Sequence, residues 1–151
     1  MNLLSARPYT VWQLRRKLVA KEVPAIDADA AIGRLVAAGL MDDSRYALAY
    51  ARSRLAGQGT SARRVAQDLA RKGVAPEISR RAIEEVIQDE DIDPRAVIER
   101  VARKKVASMG DLDSVVLRRR LFAFLARRGY ELNDIREAVA SVGVSHEEDE
   151  P

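Results

Sequence analysis

Gly39-Leu-Met-Asp-Asp-Ser-Arg-Tyr-Ala-Leu-Ala-Tyr-Ala-Arg-Ser-Arg-Leu-Ala-Gly-Gln-Gly59 reads as one helix held between two glycine breaks. Asp42 or Asp43 can cap it, since a short carboxylate accepts from the free N–H groups of a first turn and favours the positive end of the dipole. Tyr46 and Tyr50 are four apart, as are Ala47, Ala51 and Leu55, so one face carries a continuous apolar stripe, with Arg45 and Arg52 outside it. A new helix begins at Thr60 or Ser61. The importance of this helix lies in its position, because it joins two copies of the same pattern.

Working outward, helical periodicity dominates and no alternating strand pattern appears. Helices are expected from about Thr10 to Ala20 (Val11, Leu14 and Leu18 inward) and from a cap near Asp27 (Ala28, Ala31, Ile32 and Leu35 inward). Others run from about Ser61 to Lys72, Pro76 to Gln88, Pro94 to Val106, Asp113 to Arg128 and Asn133 to Val142. Superposed, they give three copies. Leu14, Val65 and Leu121 correspond, as do Leu18, Leu69 and Leu125; Ile32, Ile83 and Val139 follow. Gly73 and Gly129 occupy the place where a helix end enters the left-handed region, whereas the first copy has Glu22 there, so its turn must differ or carry strain. The pattern predicts an all-α protein of tandem three-helix repeats forming an elongated, curved array of about eight helices. Its divisions are expected at 1–57, 58–108 and 109–143, the third copy truncated to two helices, with an acidic, disordered tail over 144–151.

Composition narrows the function. The chain has 151 residues, 47% of them apolar and few aromatic, and a net charge of +3. The charge is blocked out: residues 82–93 and 131–151 are acidic, while residues 1–81 and 94–130 are strongly basic, which suits a polyanion-facing surface. No apolar run approaches membrane-spanning length and no charged-then-apolar leader is seen, so a soluble, unexported protein is expected. Without cysteine there is no disulfide or thiolate chemistry. The single histidine, His146, lies in the acidic tail, a poor place for a catalyst. Asp42 and Asp43 are explained by capping rather than by metal. Asp89–Asp93 lacks calcium-loop spacing, and Gly57-Gln-Gly-Thr-Ser61 has no following lysine to make a phosphate loop. No enzyme, cofactor or metal is expected.

The basic rows remain. Arg64, Asp68 and Lys72 lie four apart and can neutralise one another, while Arg63, Gln67 and Arg71 form a neighbouring row with no acid in it. The third copy offers Arg119 and Arg127 beside Arg120 and Arg128. The candidate binding residues are therefore Arg63, Arg71, Lys72, Arg119, Arg127 and Arg128, with Lys21 and Arg16 as weaker contributors. Contacts to nucleic acid would be electrostatic and blind to sequence. A helix-turn-helix repressor spanning Val65–Ala82 is the rival, although Leu69 stands where that motif wants a small residue and Ser79 where it wants an apolar one. A purely protein-binding helical adaptor is a third possibility, and it leaves the basic rows without a purpose.

At Gly39-Leu-Met-Asp-Asp-Ser-Arg-Tyr-Ala and Leu121-x3-Leu125-Ala-Arg-Arg-Gly-Tyr130 the chain resembles the RecX family of bacterial RecA regulators. Leu14-Arg-Arg-Lys-Leu18, Gly57-Gln-Gly59, Leu69-Ala-Arg-Lys-Gly-Val74 and Ile135-x2-Ala138-Val agree with it, so the resemblance covers nearly all of residues 3–142. Glu22, where the family has a small turn residue, is a departure. The resemblance implies a cytoplasmic, non-enzymatic protein that binds RecA and restrains its filament on single-stranded DNA, by capping an end or lying in the groove. A monomer is expected.

Overall fold

The computed structural model describes residues 8–143; the tail 144–151, with His146, lies outside them. Among the described residues there are eight α-helices and no strand. They are α1 (Val11–Ala20), α2 (Ala25–Ala37), α3 (Asp43–Ala51), α4 (Ala62–Arg71), α5 (Pro76–Asp89), α6 (Pro94–Met109), α7 (Ser114–Arg127) and α8 (Leu132–Ser141).

Their starts follow local chemistry. Thr10 closes a capping box with Gln13 at the head of α1, while Asp42, Ser61, Asp93 and Asp113 each accept a first-turn N–H at the heads of α3, α4, α6 and α7. The second aspartate of the opening stretch has a different job. Asp43 Oδ1 accepts from the Val11 N–H at 2.9 Å and so fastens α3 to the first turn of α1. The expectation for α2 needs correcting: the helix starts at Ala25 behind Pro24 with no side-chain cap, and Asp27 sits in its first turn. Beyond Ala51 the α3 backbone widens into a π-helical segment, Arg52–Gly57, and Leu55 stays buried within it.

Buried side chains fall into three clusters strung along the chain. The first joins Leu14 and Ile32 to Met41; the second gathers Ala47, Ala51, Leu55, Val65, Leu69, Val74, Ala82, Ile83 and Val86; the third holds Ile98, Ala102, Leu121, Leu125, Ile135, Ala138 and Val139. Packing thus groups α1–α2, α3–α4–α5 and α6–α7–α8, one helix out of phase with the divisions 1–57, 58–108 and 109–143. The last unit is complete. The first, among the described residues, has two helices, so Leu18, Ala31 and Leu35 are only half-buried where their counterparts Leu69, Ala82 and Val86 are fully buried. The shift has a simple cause. Repeat alignment finds the spacing between copies, but only side-chain contact decides which helix closes which core.

The units join head to tail through equivalent helices. The Thr10 hydroxyl at the head of α1 donates to the carbonyl of Lys72 at the end of α4, at 2.5 Å. The Ser61 N–H at the head of α4 donates to the carbonyl of Arg128 at the end of α7, at 3.2 Å. A negative helix end therefore meets a positive one at both junctions. Glu22, Gly73 and Gly129 close the three equivalent turns with φ of 65°, 82° and 88°, each with the paired backbone bonds of a Schellman motif. The first turn does not differ from the others; Glu22 simply adopts the glycine conformation. It can do so because no described unit is stacked against it, whereas a Cβ on Gly73 or Gly129 would run into the neighbouring unit. Glu22→Gly is accordingly expected to raise the unfolding free energy by up to about 1 kcal/mol, since a left-handed non-glycine residue costs roughly 1–2 kcal/mol and glycine returns part of that as chain entropy. A denaturant midpoint equal to or below the parent's would contradict this.

Candidate functional site

The eight cations singled out in the sequence occupy three kinds of place. Arg119, Arg127 and Lys21 are exposed and in no ion pair among the described residues. Arg63 and Arg71 are exposed but partnered: Arg63 reaches Glu131 at 4.0 Å, and Arg71 pairs with Asp68, which also takes Arg64 Nε at 3.2 Å. The row Arg63–Gln67–Arg71 therefore does have acids, a correction to the sequence reading. One of them stands on α4 itself, three residues from Arg71; the other comes from the start of α8, which no spacing on α4 could reveal. The Arg63–Glu131 pair is solvated and worth little, so a polyanion can displace its carboxylate at small cost. Asp68 is mostly buried and also holds Arg64 and the Tyr50 hydroxyl, so Arg71 is the more firmly paired.

The remaining three lie against aromatic rings. Arg16 lies 4.7 Å from the Trp12 ring centre, Lys72 lies 5.4 Å from that of Tyr50, and Arg128 lies 4.9 Å from that of Phe124. Arg128 also donates from Nη1 to the Gln58 carbonyl at 2.7 Å, so it helps hold the third unit to the second as well as presenting charge. Tyr130 supports the same junction. Its hydroxyl donates to the Gly59 carbonyl, and burial pushes its pKa up to about 12.

Sequence reasoning missed three further cations. Arg54 lies 5.0 Å from the Tyr50 ring centre and donates to Gln58 Oε1 at 2.7 Å. Lys105 lies 4.8 Å from the centre of the Phe124 ring, with Lys104 exposed beside it on α6. Together with Gly57, Gln58, Val101, Ser108 and Arg128, these two lysines line an open cleft of about 410 Å³ with no carboxylate in its wall. The available signal was the adjacent pair Lys104-Lys105, but the turn at Gly57–Gln58 that faces it comes from another unit.

The helix proposed for base reading is differently made. On α5, Arg80 is gripped by Glu77 and Glu84, and Arg81 by Glu77, so its charges cancel along its own surface. The Arg80 guanidinium holds the Glu77 carboxyl below its usual range. Ser79, at the position where a helix-turn-helix wants an apolar residue, is buried, and its hydroxyl has no hydrogen-bond partner among the described residues. Of the aspartates of the opening stretch, Asp42 caps α3 and Asp43 accepts from the Val11 N–H. No helix among the described residues is long and apolar enough to cross a membrane.

Comparison with known proteins gives three family matches: the first three-helix domain of RecX over residues 1–35, the second over 42–83 and the third over 93–139. These ranges follow the packing units rather than the divisions expected from the sequence. The regulatory protein RecX of Amycolatopsis mediterranei is 33% identical over 129 residues, covering 85% of this chain and 72% of the relative. That of Mycobacterium leprae is 36% identical over 148 residues, covering 93% and 81%. The crystal structure of RecX from Lactobacillus salivarius superposes with a TM-score of 0.70 over 94% of this chain and 90% of that one. At 17% identity, it speaks for the fold alone.

Proposed function

The chain belongs to the RecX family of regulatory proteins, and from that membership we propose that it is a non-enzymatic regulator that binds RecA. It would restrain the RecA filament on single-stranded DNA, by capping a growing end or by lying in the filament groove, and would inhibit recombinase and ATPase activity. It acts in the cytoplasm as a monomer, without cofactor or metal. The observation that carries this reading is a surface on which cations recur on stacked units. Among the described residues Arg119, Arg127 and Lys21 are in no ion pair, Arg63 and Arg71 are paired with Glu131 and Asp68, and Lys72, Arg128 and Arg16 lie on rings. Such a surface follows a polyanion by charge rather than by base identity. The repressor reading is weaker, because the exposed arginines of α5 are bound to that helix's own glutamates.

The deciding measurement is RecA-dependent ATP hydrolysis on single-stranded DNA with and without this protein; undiminished hydrolysis would refute the proposal. Within it, Arg119→Ala with Arg127→Ala should weaken inhibition more than Arg63→Ala with Arg71→Ala, since the first pair has no carboxylate to shed. Each double variant should keep its fold and flatten the log–log salt dependence of polynucleotide binding by roughly 0.7 per lost phosphate contact. Arg64→Ala, whose guanidinium serves Asp68, should matter less than either. Parent-like inhibition and salt dependence in both double variants would assign binding to another face.

A further inference from the structure

Gln58 ties two aromatic-cation clusters together. Its side-chain oxygen accepts from Arg54, which shares the Tyr50 ring with Lys72; its backbone carbonyl accepts from Arg128, which shares the Phe124 ring with Lys105. Lys104 continues the line along the cleft wall. We propose that this continuous belt (Lys72, Arg54, Arg128, Lys105 and Lys104, crossing from the second unit to the third) is the track along which a single nucleic-acid strand lies, its phosphates in the cleft between Gln58 and Phe124. The proposal rests on the reading that this protein acts on a nucleoprotein filament, and it extends the strand's contacts beyond the α4 and α7 rows.

Three observations carry it. Four of the belt's five cations lie on rings, and among the described residues none of the five is in an ion pair, while Arg63, Arg64 and Arg71 on α4 all are. A ring orders a cation without cancelling its charge, so the full charge is left for a phosphate. Asp68, which accepts from the Tyr50 hydroxyl, is already engaged by Arg64 and Arg71. Second, the cleft supplies more than charge. The Gln58 side-chain amide in its wall, whose oxygen accepts from Arg54, has an NH2 group to offer as the kind of neutral donor that accompanies lysine and arginine around phosphodiester oxygens. Third, the line spans two units whose junction is fixed by the Tyr130 and Arg128 bonds, so the spacing of the charges is preset. A strand bound there loses little to ordering the protein. An acidic protein surface would find the same charges. A carboxylate-free cleft lined by two lysines and an arginine nevertheless fits one flexible anionic chain better than a folded face.

The test uses the full chain and a labelled oligothymidylate, with binding followed by anisotropy over a salt series. Lys104→Gln combined with Lys105→Gln should lower the log–log slope by about 1.4, two single-strand phosphate contacts at roughly 0.7 each. Lys104→Glu, at an exposed position, should weaken binding further at low salt without touching the core. Restoring charge with Lys104→Arg and Lys105→Arg should recover the parent slope. Arg80→Gln, on the self-neutralised surface of α5, should leave it unchanged. A parent-like slope in both Lys104 variants, with folded far-ultraviolet spectra, overturns the track. So does unchanged oligonucleotide binding combined with lost inhibition of RecA, which would assign the belt to an acidic protein surface. If the parent does not inhibit RecA, the functional reading fails by itself; the oligonucleotide measurement still decides the track.

Discussion

Leu69→Ala and Leu125→Ala are each expected to lower the unfolding free energy by about 2–5 kcal/mol. Both side chains are fully buried, and each stands at the same place in its unit: on the second helix, facing the other two, and opposite the apolar residue that follows the turn. Leu69 also lends its carbonyl to the Val74 N–H, and Leu125 lends its own to Tyr130, so the side chain packs where the Schellman turn closes. Alanine keeps the backbone bond and removes the packing, leaving a cavity between three helices. Because the two leucines belong to separate clusters, their effects should add within about 0.5 kcal/mol in the double variant. Chemical denaturation measures both. Unchanged midpoints would mean that the helices are rotated from the faces described here, and a large departure from additivity would mean that units two and three share one core.

Gly129→Ala and Gly73→Ala should be similarly damaging, for a different reason. A Cβ on Gly129 would stand 2.5 Å from Arg64 Cβ and 2.6 Å from Ser61 Oγ; on Gly73 it would stand 2.3 Å from Trp12 Cβ. Neither contact involves the free end of a flexible side chain, so the helix junction itself must open. Backbone strain of roughly 1–2 kcal/mol and overpacking of roughly 1–3 kcal/mol together put the loss at about 2–5 kcal/mol. The damage should concentrate at the seam between units. Amide exchange in the Gly129 variant should accelerate at Ser61, whose N–H bridges to Arg128, before it accelerates inside either core. Uniform exchange across the chain would argue against a local seam. The comparison with Glu22 sharpens the test: all three turns share one backbone conformation, but only the two that abut another unit demand that the side chain be absent.

Much of this was legible in the sequence because it depends on neighbours three or four residues apart. The helices, a cap at Asp42 or Asp43, the buried leucines and the recurrence of the turn follow from periodicity and from the chemistry of helix ends, and these do not need a partner from elsewhere in the chain. Family resemblance was legible for the same reason, being carried by short motifs. The phase of the repeat was not. Which of two flanking helices closes a core is decided by burial across the whole unit, and α3 lies next to both candidates along the chain. The pairing of charges was only half legible. Arg64–Asp68 is an i,i+4 neighbour and could be read, whereas Arg63 meets Glu131 and Arg128 meets Gln58 only after two units have stacked. The belt through Gln58 belongs to the tertiary structure for that reason. The sequence by itself determined that this protein would be a string of small helical units with basic surfaces; stacking decided which cations were spent on carboxylates and which were held, still charged, on rings.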